Sequence, residues 1–84
     1  MEQLFKELSN WRNRLLEAFD REKALMASIV KEREKARRQA SSAQRLPTMG
    51  EKLHKAWKDQ EVALAKIGSI RKRIEEILNQ EIEL

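Results

Sequence analysis

The chain has no cysteine, no tyrosine, one proline and two glycines among its 84 residues, and each scarcity removes a class of protein. Without cysteine there is no disulfide framework, thiolate zinc site, redox motif or thiol nucleophile. With so little glycine and proline there are few turns, and strand-forming blocks bounded by turn residues are missing. No apolar run approaches the ~20 residues that a membrane-spanning helix needs. The N-terminal MEQLFKELSNWRNR lacks the apolar block and small-residue cleavage site of a signal peptide, so a non-secreted, cytoplasmic protein is expected.

Catalytic signatures are also missing. The single histidine, His54, has no serine or paired carboxylate at motif spacing. Glu75 and Glu76 are adjacent, hence about 100° apart on a helix, unsuited to a carboxylate pair or a metal clamp. Gly50 and Gly68 stand alone, with no phosphate-cradling loop around them. The expectation is a non-enzyme with no catalytic residue, cofactor or metal.

Charge of both signs is abundant: 38% of residues are Asp, Glu, Lys or Arg, the composition of long helices and coiled coils. The net charge of +4 is unevenly placed. Residues 1–30 have five basic and five acidic side chains, residues 31–58 nine and three, and residues 59–84 four and six. The excess lies in the middle.

Hydrophobic spacing then predicts two helices. Leu4, Leu8, Trp11, Leu15, Ala18, Leu25 and Ile29 recur in steps of four and three, with one miss at Glu22, which marks one face of a helix. Phe5, Leu16, Phe19, Met26 and Val30 widen that face beyond a narrow seam. The second repeat is cleaner: Met49, Leu53, Ala56, Gln60, Ala63, Ile67, Ile70, Ile74 and Ile77, then Glu81 and Leu84, with only Gln60 interrupting before Glu81. Between them Ser41, Ser42 and Pro47 read as a break. Thr48 with Glu51 fits a capping box that starts the second helix at Met49.

The expected fold is therefore all-α: a single antiparallel helical hairpin over residues 1–84, with helix 2–41, turn 42–48 and helix 49–82. Folding back near Arg45 would place Leu4 to Leu15 beside Ile74 to Leu84, and Leu25 to Val30 beside Gln60 to Ile67. The arms would be about 60 and 50 Å long at 1.5 Å per residue. Gln60, polar at a core position, would fix register or oligomer state.

Two packed helices share one seam, yet each carries a second apolar stripe. Phe5, Phe19 and Met26 on the first, and Trp57, Leu64 and Leu78 on the second, need a third or fourth helix to cover them. A coiled-coil-like bundle completed by a homodimer and a groove for a partner's amphipathic helix are both open. Trp11 joins these as a candidate partner contact, since large aromatics dominate interface energetics. A competing reading is a nucleic-acid clamp at the basic bend, with Arg37, Arg38, Arg45, Lys52 and Lys55 on an anionic partner. A third is a segment of a longer coiled-coil scaffold.

One stretch also resembles a known family. LPTMGEKLHKAWKDQEVALAKIGSIRKRIEEIL, residues 46–78, is similar to the later helices of small all-helical flagellar (type III) export chaperones, where a polar pair precedes a leucine-like repeat and a basic pair. The corresponding residues here are Asp59, Gln60 and Leu64, with Arg71 and Arg73. LLEAFDREKALMASIVKERE, residues 15–34, shares only the helical repeat and a Glu-Arg. The resemblance implies a non-enzymatic chaperone that covers an aggregation-prone helix of a secreted filament component. Read from residues alone, the chain is a protein-binding adaptor, chaperone or assembly subunit.

Overall fold

The computed structural model describes residues 1–38 and 44–83 and contains two helices, α1 (Glu2–Arg38) and α2 (Leu46–Glu83), packed antiparallel along their lengths. The hairpin is slender, 69 × 14 × 14 Å. Equal short axes fit a pair of helices that coil about each other, which a sustained seven-residue repeat demands. The expected all-α hairpin is the fold observed.

The starts of both helices have identifiable reasons, and the charges along α1 suit its dipole. Glu2 lies in the first turn of α1, and Lys35, Arg37 and Arg38 lie in its last, each sign matching the helix dipole. The end expected at residue 41 lies outside the described residues, as do Ser41 and Ser42. α2 starts at Leu46, three residues before the expected Met49. Pro47 therefore does not delay the helix but occupies its first turn, where a missing N–H costs nothing and the fixed φ is already helical. Thr48 and Glu51 consequently sit inside α2. Gln44 and Arg45 form a short 3-10 turn leading into it.

The seam is built on the two repeats. Ala18, Ala56, Ala63, Ile67, Ile70 and Ile74 are its most buried apolar residues, while Leu4, Leu8, Trp11, Leu15, Leu25 and Ile29 are half-buried beside them. A two-helix structure can bury little more: small side chains such as Ala18 and Ala63 are shut off from solvent, while the larger ones of the seam keep an exposed edge.

The two interruptions of the repeats meet. Gln60 donates from Nε2 to the Glu22 carboxylate across the seam, and on the adjoining surface Arg21 Nη2 donates to Asp59 Oδ2 at 3.1 Å. These pairs set the register, and it differs from the one expected from a bend at Arg45. Glu22 faces Gln60, so Leu25 lies near Ala56 and Lys52 rather than beside Gln60 to Ile67. The slip is about two helical turns. Apolar repeats alone cannot distinguish registers one heptad apart; a polar group left unpaired in the seam costs roughly 1–3 kcal/mol and can.

A third polar insertion closes the bend end. Glu32 is 7% exposed at a seam position and lies 3.9 Å from both Lys35 and Arg45. Arg45 precedes α2, so this carboxylate draws the start of α2 toward α1 from the far side of the bend.

Candidate helix-docking face

Written as heptads, the seam residues of both helices are the a and d positions, and e and g flank them on opposite sides. The Arg21–Asp59 pair joins g to g. In an antiparallel pair the e positions of the two helices then share the other flank.

The two flanks differ in chemistry. On the g flank stand Glu7, Arg14, Arg21, Ser28 and Lys35 of α1 with Lys52, Asp59, Lys66 and Arg73 of α2. It is polar and partly ion-paired. Two open grooves on this side share Arg21 and Asp59; one is lined also by Ala24, Leu25 and Ala56, the other by Trp11, Arg14 and the exposed Val62.

On the e flank the observed register sets Phe5 level with Leu78, Phe19 with Leu64, and Met26 with Trp57. All six are between 44% and 53% exposed, so about half of each side chain remains in water. Leu16 and Val30, each 60% exposed, lie one turn from Phe19 and Met26 and extend the strip outward on α1. A single break divides it. Arg12 and Arg71 fall level with each other between the Phe5/Leu78 and Phe19/Leu64 rungs, both exposed. Among the described residues neither forms an ion pair; the ion pairs present involve Arg21, Lys35 and Arg45.

Six of the seven residues expected to bind a partner are thus gathered on one flank. The seventh, Trp11, lies on the seam and is half-buried, with the Arg14 guanidinium 4.6 Å over its ring on the polar side, a cation–π contact. Leu16 and Val30, Arg12 and Arg71 belong to the same surface and were not singled out as site residues from the sequence. The heptad assignment carries the signal for them, but only once the polar pairs have fixed the register.

The residues considered for an anionic partner are more dispersed. Arg37 and Arg38 end α1 and are exposed, Arg45 is turned toward Glu32, and Lys52 and Lys55 line the polar groove near Ser28. Glu32 offsets part of this charge. Among the described residues no group of His, Asp or Glu is placed to hold a metal ion, and no helix is long and apolar enough to cross a membrane.

Comparison with protein families, with curated proteins and with solved structures returned no match to this chain.

Proposed function

We propose that this protein is a non-enzymatic interaction module that binds an amphipathic helix along the apolar e flank, as an adaptor, chaperone or assembly subunit working in the cytoplasm. The observation that supports it is the one-sided exposure of Phe5, Phe19, Met26, Trp57, Leu64 and Leu78 opposite an ion-paired polar flank. Burying the remaining half of six such side chains contributes roughly 5–9 kcal/mol gross at 1.5–3 kcal/mol for each full burial. A docked helix adds a like amount from its own apolar face, so apolar contact alone exceeds the low end of association costs, ~4–15 kcal/mol.

The flagellar export chaperone is a narrower form of this reading. It rests on the likeness of residues 46–78, and the exposed apolar face suits a protein that shields a client helix. A homodimeric bundle is the other way to cover the same flank. The basic bend supports a separate reading as an anion-binding tip, favoured by the exposure of Arg37, Arg38, Lys52 and Lys55. Binding there would weaken steeply with salt, whereas apolar docking would not.

Trp57→Ala tests the main reading. The expected result is at least a tenfold loss of helix binding or assembly, read by light scattering and peptide titration, with helix content by circular dichroism unchanged. Parallel loss of helicity and binding would count against it.

A further inference from the structure

The apolar flank carries more information than its hydrophobicity, and the following rests on its being a helix-docking face. Its rungs run Phe5/Leu78, Arg12/Arg71, Phe19/Leu64, Met26/Trp57 from the open end of the hairpin toward the bend, about 10 Å apart at one heptad each. The second rung is a pair of arginines without an ion pair, flanked on both sides by apolar rungs. The carboxylate nearest along either helix on this side is Glu75, one turn beyond Arg71, and it makes no ion pair with it among the described residues.

From this we infer that the flank is built for a partner helix whose apolar face is interrupted once by an aspartate or glutamate, seated between Arg12 and Arg71. When such a helix docks, both guanidiniums lose water, and a carboxylate between them accepts charge-assisted hydrogen bonds that no apolar or amide side chain replaces. Leu16, Phe19, Met26 and Trp57 hold the main apolar segment of the partner, and Phe5 with Leu78 holds its continuation beyond the acid.

A second copy of this chain is a poor occupant. A symmetric pair joined through this flank reverses the order of the rungs. Of the registers that reverse the order, two lay Arg12 and Arg71 on the other copy's Phe19/Leu64 or Met26/Trp57 with no carboxylate between them. Matching Phe19/Leu64 to Met26/Trp57 lays them on its Arg33, the next e position of α1 toward the bend, and matching Phe5/Leu78 to Phe19/Leu64 stacks the two arginine pairs on each other. Parallel alignment does the same. Each arrangement buries the guanidiniums either against like charges, which costs several kcal/mol, or against apolar side chains with no acid to pair them. The same cations that oppose self-association recognise an acid.

The test uses the full chain with Trp11→Phe, so that Trp57 emission alone reports docking. It is titrated with three 25-residue amphipathic peptides of leucine-rich face, identical except for Glu, Gln or Lys at one position in the apolar face. The Glu peptide is expected to bind about tenfold more tightly than Gln, and Lys more weakly than either. In Arg12→Gln/Arg71→Gln the preference for Glu is expected to vanish while the Gln peptide still binds. Equal binding of all three peptides would overturn the acidic-partner inference and leave helix docking standing. Binding by none would remove the docking reading and this inference with it, and a dimer by light scattering in that case would assign the flank to a second copy.

Discussion

The two flanks of the hairpin share one seam, one length and one heptad repeat, yet one is wet and ion-paired while the other is apolar and open. The difference lies in about five positions on each side. On the g flank Arg21 meets Asp59; at the corresponding e positions Phe19 is level with Leu64, both about half exposed. Helix pairing needs only the a and d residues, so whatever occupies e and g is free to serve something else. Polar residues at g keep that side in water. Large apolar residues at e leave a face that water contacts at a cost, and a lone arginine rung marks where its cover must be charged.

The largest effect should come from the seam that both flanks depend on. Ile70→Ala, which truncates a side chain 8% exposed, is expected to lower stability by about 2–4 kcal/mol in chemical denaturation, and to weaken helix binding only through unfolding. A change in binding at constant stability would show that seam and flank are not separable.

Next is the polar pair. Gln60→Leu should cost about 1–3 kcal/mol because Glu22 is left without its partner, and the double variant Glu22→Leu/Gln60→Leu should recover most of that loss. The double variant should also lose its single register, read as broadened or doubled amide resonances. A double variant as unstable as the single one would mean that the pair stabilises rather than specifies.

Smaller effects sharpen the contrast between flanks. Gly68 is helical, and a Cβ added there meets nothing within 4 Å, so Gly68→Ala should raise stability by about 0.5–1 kcal/mol. Arg21→Ala removes an ion pair whose side chains are 54% and 43% exposed, and should cost only a few tenths of a kcal/mol, less in high salt. A loss above ~1.5 kcal/mol would make the polar flank structural rather than solvated.

Much of this architecture could be read from the residues. Two long stripes with four-and-three spacing, broken only at Glu22 and Gln60 before Glu81, specified two long helices, and the short connection specified their antiparallel return. The start of α2 was misplaced because Pro47 was read as a breaker, although proline is equally at home in a first helical turn. The register was misplaced because Leu, Ile and Ala rungs look alike after a slide of seven residues. Glu22 and Gln60 looked like blemishes in separate repeats, and only their meeting in space shows that they are one feature. Trp11 was grouped with the partner contacts for its size, but its spacing belongs to the seam. The six apolar flank residues were legible as a second stripe; the arginine rung between them was not, since two residues 59 positions apart are level only in the folded hairpin.

The account stands most directly on which flank a docked helix touches. Backbone amide, methyl and indole chemical shifts of the labelled chain, followed as an amphipathic peptide is added, answer that at residue level. The expected result is large shifts at Met26, Trp57, Leu64 and Leu78, with Val62 and the Arg21–Asp59 side unmoved. Shifts centred on Val62, or on Arg37, Arg38 and Lys52 at the bend, would contradict it.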